Sequence, residues 1–264
     1  MRKIAIGFVI YNPTPSLISR MDLVLNACFA LYIFDNSPQN SSVRDFCKCR
    51  NNCKYLTCGK NVGLGFGISS VCAQAYYDHF PALLFFDQDT IFDFSTLEFI
   101  EEYYVTNLEL SSNYSAIVFN SKLISNTDSR SRFKFKDVLM AISSGSLFFL
   151  ENLRKLDWHN ETYFVDCVDY EFCLRSYRHN LKIGECSMTP GFNHTAEQPD
   201  FKYVFWGKEV LVRPYNLKRI LDTISASMRL FFTSMMSGRI LFSYKIFRYL
   251  SMYLFWQLVV RLIR

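Results

Sequence analysis

Asp87 and Asp89 stand two positions apart, directly after the apolar run Leu83-Leu84-Phe85-Phe86. Carboxylates at i and i+2 that leave the end of a buried strand can share a hard cation. Mg²⁺ and Mn²⁺ take oxygen ligands, commonly one or two carboxylates plus substrate phosphates. D-x-D triplets are common, and their ordinary reading is a solvated turn; the wholly apolar strand before this one shifts the reading toward a cation. A second acidic group, Asp166-Cys167-Val168-Asp169-Tyr170-Glu171, falls at an expected helix start. Acids there are stabilised by the helix dipole. They could equally supply a general base, with Arg175 holding a neighbour.

Three weaker signals accompany these. Asp35-Asn36 closes a short apolar segment and could accept from a base N–H or a ribose hydroxyl, or simply form an Asx turn. Gly59–Gly67 leads into a helix, where glycines allow close approach and the helix N-terminus favours phosphate. It has neither the Gly-Lys-Ser/Thr end of a P-loop nor a G-x-G-x-x-G opening directly from a strand. His194 lies in a loop with nearby prolines and glycine, where a lone histidine is more often structural than a ligand.

The elements that must position these residues alternate. Ile4–Ile10, Leu31–Phe34, Tyr55–Cys58, Ala82–Phe86 and Ala116–Phe119 read as short buried strands. Pro15–Ala27, Ile68–Tyr77, Ser95–Tyr104 (with Ser95 as N-cap) and Val168–His179 have helical spacing. Ser121–Arg132 reads as a loop and residues 186–214 as an irregular one. From Tyr215 the pattern is helical, aromatic and basic. This βαβα order predicts an α/β fold with a mostly parallel sheet, whose ligands gather beyond the strand carboxyl ends. The expected division is a domain over 1–214 and a helical extension over 215–264.

Composition narrows the class. Of 264 residues, 50% are hydrophobic and 17% aromatic, which excludes a disordered or collagenous chain. The net charge is +5, but residues 215–264 alone carry +7, leaving −2 for the rest. The body therefore is not a general nucleic-acid binder. No secretory signal is evident, so the N-x-S/T sequons at Asn40, Asn113, Asn160 and Asn193 are read as chance. The longest charge-free stretch near the C-terminus, Tyr249–Val260, is shorter than the roughly 18–20 residues a span requires. Nine cysteines in a chain read as cytosolic are expected to be reduced. Cys47, Cys49, Cys53 and Cys58 are too irregularly spaced for a zinc knot and read as ordinary thiols.

Taken in order, six stretches resemble family 2 glycosyltransferases of the GT-A fold, and most nearly their bacterial rhamnosyltransferase branch. They are Ile10-Tyr11-Asn12-Pro13, Ile33-Phe34-Asp35-Asn36, Lys60-Asn61-Val62-Gly63-Leu64-Gly65, Phe85-Phe86-Asp87-Gln88-Asp89-Thr90, Ser143-Ser144-Gly145-Ser146 and Phe164-Val165-Asp166-Cys167-Val168-Asp169-Tyr170-Glu171. The resemblance spans about residues 3–215. Residues 157–164 and the cysteine-rich Cys47–Cys58 depart from it.

The resemblance implies a GT-A domain with a basic, aromatic C-terminal helical extension. It places Tyr11, Asn12, Asp35, Asn61, Gly63, Asp87 and Arg213 at the nucleotide sugar, with Asp35 reaching the pyrimidine. Asp89, with Asp87 and His194, would hold a divalent cation, Mg²⁺ or Mn²⁺. Asp169 falls at the position of the catalytic base, with Asp166 as its competitor. The implied reaction is inverting transfer of L-rhamnose from dTDP-L-rhamnose to a lipid-diphosphate-linked saccharide, as in O-antigen or other cell-surface polysaccharide synthesis. The basic, aromatic tail suits an anionic membrane surface. That places the protein on the cytoplasmic face of the bacterial membrane. The alternatives are a UDP-hexose donor with the same chemistry, and a non-catalytic sugar-nucleotide-binding or scaffold protein.

Overall fold

The computed structural model describes residues 2–37, 39, 42–121, 134–194, 201–205 and 208–263. The chain forms two compact units, Met1–Thr195 and Ala196–Arg264.

In the first unit the order is β1 (Ile4–Ile10), α1 (Ser16–Asn26), β2 (Ala30–Asp35), α2 (Ser42–Lys48), β3 (Cys53–Thr57), α3 (Leu64–Tyr77), β4 (Ala82–Asp87), β5 (Thr90–Ile91) and α4 (Phe94–Thr106). It continues with β6 (Tyr114–Phe119), β7 (Lys134–Asp137), β8 (Ser146–Phe149), α5 (Leu150–Lys155), α6 (Val168–Arg178), β9 (Lys182–Ser187) and β10 (Asn193–His194). Eight strands make one sheet in the order β3-β2-β1-β4-β8-β6-β9-β7. Four of its seven pairings are parallel; β8 runs against both β4 and β6, and β7 against β9.

β1, β2, β4 and β6 are buried nearly end to end, as strands covered on both faces are, whereas the edge strand β3 is half-buried. Ile4, Ile6, Phe8 and Ile10 of β1 join Leu17 and Met21 of α1 and Leu97 and Ile100 of α4 in one core. α3 packs against β1, β2 and β4. The chain moves from β1 to β2 toward one edge and returns from β3 to β4 on the other side of β1. This reversal opens a crevice at the carboxyl ends of β1 and β4, where open α/β sheets place their ligands.

Some expectations are corrected. α4 is capped by Asp93, not Ser95: the Asp93 side chain accepts from the Thr96 N–H and the Thr96 side chain returns the bond. Asp is as good a cap as Ser, and the reciprocal partner decides between them. α3 starts at Leu64, ahead of the expected Ile68, because Gly63 ends the preceding loop. Residues 186–214 are not one irregular loop. They include the end of β9, β10, and a hairpin of β11 (Phe201–Phe205) and β12 (Lys208–Val212). β11 and β12 were masked from a sequence reading by the nearby prolines. Of the expected loop Ser121–Arg132, residues 122–132 lie outside the described residues.

The second unit holds that hairpin, then α7 (Leu217–Met236) and α8 (Ile240–Ile263). Asn216 caps α7 by accepting from the Arg219 N–H at 2.8 Å. Leu230, Phe242 and Ile246 are buried, and the Ser234 and Ser243 hydroxyls bond at 2.6 Å. Many large apolar side chains of this unit remain exposed, among them Phe232, Met236, Leu241 and Phe247. Among the described residues no helix is long and apolar enough to cross a membrane.

Candidate active site

The site is assembled at the carboxyl ends of β1, β2 and β4. Tyr11 follows β1; its N–H donates to Gln88 Oε1 at 2.8 Å, which ties the end of β1 to the Asp87-Gln88-Asp89 turn. Arg20 of α1 donates to the Gln88 carbonyl from the other side. The Tyr11 side chain is exposed. Asn12 adopts φ +46°, a conformation asparagine tolerates better than most residues, and its N–H donates to Ser37 Oγ at 2.8 Å.

Asp35 is fully buried at the end of β2. Its Oδ1 accepts from the Ser37 N–H and its Oδ2 from the Tyr55 hydroxyl, each at 2.8 Å. These bonds fix the Asp35 carboxylate at the carboxyl end of β2. The next residue, Asn36, holds the glycine loop: its Nδ2 donates to the Gly63 carbonyl and its Oδ1 accepts from the Val62 N–H, each at 3.0 Å. Asn61 Oδ1 accepts from the Gly63 N–H at 3.0 Å. Gly63 lies at φ +95° and ψ 168°, a region essentially closed to other residues. A Cβ there would also sit 2.6 Å from the Phe164 carbonyl oxygen. The loop is thus pinned at one end to β2 and at the other to the stretch that leads into Asp166.

The carboxylates gather beside this loop. The Asp87 N–H donates to Ser144 Oγ at 3.1 Å, and Ser144 shares a 2.6 Å hydrogen bond with Thr90 Oγ1. Ser143 donates to Asp169 Oδ1 in the first turn of α6. Burial, together with the charges of Asp169 and Asp89, pushes the Asp87 carboxyl up to about 8. Three acids from two parts of the chain, the end of β4 and the start of α6, therefore share one electrostatic environment. Asp166 stands just before the left-handed turn at Cys167 (φ +63°), and Asp169 just after it. The third acid of that group, Glu171, is engaged by Arg175 through two 3.0 Å bonds, and Arg175 also donates to the Trp158 carbonyl at 2.6 Å.

Among the described residues no cluster of three or more His, Cys, Asp or Glu side chains is set to hold a metal by itself. Asp87 and Asp89 carry the oxygen type a hard cation takes, and two such carboxylates could hold one where a diphosphate completes the shell. Burial and, after it, the neighbouring negative charges raise the Asp87 carboxyl, and a cation would offset the part due to those charges. His194 pairs through its backbone with Thr90, the residue after Asp89; its side chain lies outside the described residues. Arg213 belongs to the second unit, where its carbonyl accepts from Gln257 Nε2 at 2.8 Å.

A cavity of about 480 Å³ is lined by Ser144, whose hydroxyl accepts from the Asp87 N–H, by Tyr170, which follows Asp169 in α6, and by Asn120, Glu185, Met140 and Ile142. Ser143, Ser144, Asn36 and Gln88 were not singled out as functional residues from the sequence. Their only signal was membership of the short stretches that also hold the acids.

No protein-family model and no curated protein sequence matches the chain. Solved structures do. Staphylococcus aureus TarS superposes with a TM-score of 0.54 at 17% identity, covering 74% of this chain and 37% of that one. TarS 1–349 in complex with UDP-GlcNAc gives 0.51 at 15% identity, covering 87% and 65%. GalNAc-T7 with UDP, GalNAc and Mn²⁺ gives 0.53 at 11% identity, covering 71% and 44%. The chain spans between about a third and two thirds of the lengths of these structures. At such identities the likeness concerns architecture: the chain has the GT-A fold.

Proposed function

We propose that this protein is an inverting glycosyltransferase that uses a nucleotide-sugar donor. The observation that carries the reading is the convergence of Asp87, Asp89 and Asp169 at the carboxyl end of β4, with Asp87 pushed up to about 8 by burial and by the other two acids. The crevice position and the GT-A fold support it.

In this reading Asp35 and the Asn36-anchored loop at Asn61–Gly63 accommodate the nucleoside, with Tyr11 and Asn12 at the rim. Asp87 and Asp89 hold a divalent cation. When bound, that cation offsets the charge growing on the departing nucleoside diphosphate, so no protonated acid is needed at the leaving group. Asp169, oriented by Ser143, removes the proton of the acceptor hydroxyl. Its proximity to Asp87 favours it over Asp166 for that role. Attack from the face opposite the diphosphate inverts the anomeric centre. A retaining hydrolase would instead place two carboxyl groups on either side of the bond. The cavity beside Ser144 and Tyr170 offers room for the acceptor sugar.

The D-Q-D form and its companion stretches support L-rhamnose from dTDP-L-rhamnose as the donor. A UDP-sugar is the rival, favoured by the GT-A neighbour in complex with UDP-GlcNAc. The exposed apolar side chains of α7 and α8, among eight basic residues and one acid in residues 215–264, support docking on an anionic membrane beside a lipid-linked acceptor.

Calorimetric titration with dTDP and with UDP, each with and without Mn²⁺, tests the reading. Cation-dependent binding that prefers dTDP supports rhamnosyl transfer. Preference for UDP keeps the glycosyltransferase and removes rhamnose. A folded sample that binds neither overturns the reading in favour of a non-catalytic protein.

A further inference from the structure

The cysteine-rich stretch 47–58 has no part in the site above. α2 ends at Lys48 and β3 begins at Cys53, and the turn between them is closed by two backbone bonds. The Arg50 N–H donates to the Cys47 carbonyl and the Cys53 N–H to the Arg50 carbonyl, each at 3.1 Å. The guanidinium of Arg50 lies 3.7 Å from the Phe46 ring centroid and pairs with Asp22 at 3.2 Å, which clamps the turn on α1. The result is a close pair of thiols: Cys53 Sγ donates to Cys47 Sγ at 2.8 Å. Cys47 is buried in the main core, whereas Cys53 is half-buried and Cys49 is exposed.

We propose that Cys47 and Cys53 form a redox-active dithiol that closes to a disulfide by exchange with a low-molecular-weight disulfide. The proposal stands apart from the glycosyltransferase reading and does not depend on it. Cys53, the more accessible of the two, attacks as its thiolate one sulfur of the reagent RS–SR. A Cys53–S–SR bond forms and RS⁻ leaves. Cys47, having lost its proton to solvent, then attacks the Cys53 sulfur, and a second RS⁻ leaves. Two protein thiols are oxidised, one reagent disulfide is reduced to two thiols, and the protons lost by the protein are taken up by the leaving thiolates.

Geometry favours this pair over the other cysteines. The two sulfurs already touch, and the bond spans only one short turn, so little backbone movement is required. The cross-link would join α2 to β3. Tyr55, two residues beyond Cys53 on β3, is the residue that donates to Asp35. The bond to Cys47 and burial raise the Cys53 thiol well above its ordinary value, so the attacking thiolate is a minor species and the exchange is slow unless the buffer is alkaline.

Oxidised glutathione, incubated with the full chain in mildly alkaline buffer and quenched by alkylation, provides the test. Trypsin cuts after Arg44, Lys48, Arg50 and Lys54, so Cys47, Cys49 and Cys53 leave on separate peptides. The expected product is the disulfide joining the 45–48 peptide to the 51–54 peptide, with intact mass lower by two hydrogens before alkylation. In Cys47→Ser, whose fold is checked by circular dichroism, Cys53 should retain a stable glutathione adduct. The proposal is overturned if Cys47 and Cys53 are recovered alkylated while the exposed cysteines carry glutathione. A dominant disulfide through Cys49 overturns it as well.

Discussion

Ser143 donates its hydroxyl to the carboxylate of Asp169, 26 positions along the chain, while its neighbour Ser144 accepts the N–H of Asp87. Two adjacent serines thus set the end of β4 and the start of α6 against each other. In the proposed reaction Ser143 orients the base without touching the reacting bond. Asp169→Asn should lower turnover by about 10²–10⁴-fold, the usual contribution of a general base. Ser143→Ala should cost about 10–100-fold, the worth of a hydrogen bond to a charged group. Nucleotide affinity should hold in both. Loss of nucleotide binding in Ser143→Ala would instead give the serine a structural role.

Asp87 links cation binding to pH. Its carboxyl is raised from the ordinary 3.8 to about 8, so between those values the folded chain keeps a proton that the unfolded chain has lost. Its contribution to stability is therefore full below about 4 and is lost as pH rises through about 8. A cation needs the carboxylate and must displace that proton. Titration of Mn²⁺ with UDP or dTDP present, in two buffers of different ionisation enthalpy, should show net proton release at pH 7 that fades as the pH is raised past about 8. Asp87→Asn should abolish the release.

The glycine loop offers an internal control. Gly63 and Gly59 both have positive φ, but a Cβ at Gly63 meets the Phe164 backbone, whereas one at Gly59 meets nothing within 4 Å. Gly63→Ala should lower the urea midpoint by the equivalent of about 1–3 kcal/mol and weaken nucleotide binding. Gly59→Ala should pay only the cost of the left-handed backbone. Equal losses at the two positions would contradict the loop geometry.

His159 is buried between aromatic rings, stacked on Phe172 at 4.6 Å, with neither ring nitrogen hydrogen-bonded among the described residues. Burial, aided by the charge of Arg175, lowers it to about 3. As pH falls from about 6.5 toward 3 the unfolded chain takes up a proton that the folded chain refuses, and stability is lost across that window. His159→Phe keeps the stack and removes the polar atoms. Its thermal midpoint should be higher than wild type, and by a margin that widens as the pH is lowered from 7 to 4.

The apolar faces of α7 and α8 predict cosedimentation with vesicles containing anionic lipid. Exchange of exposed Phe232 and Met236 for serine should weaken it severalfold at constant salt. Raised salt should weaken wild-type binding as well, because the basic residues act through a screened field. Equal binding to neutral and anionic vesicles would remove charge from the account.

The apolar runs of β1, β2 and β4 and the helical spacing of α1 and α6 were legible because buried parallel strands and amphipathic helices impose their periods on the chain. So were Asp87, Asp89 and Asp169, whose place at element ends is a local property. Edge pairings and caps were not. β7 and β10 draw their order from partners distant in sequence, the β11–β12 hairpin lies between Pro199 and Pro214 in a stretch that reads as a loop, and the cap of α4 went to Asp93 because Thr96 could answer it. Sequence alone determined the α/β class and the acids at the strand ends, since burial patterns and residue chemistry are written locally. Only the tertiary structure decided that Ser143 and Ser144 hold two of those acids, that Asn36 anchors Gly63, and that Cys47 meets Cys53. Those contacts depend on how the loops fold back in space, and no periodicity along the chain encodes them.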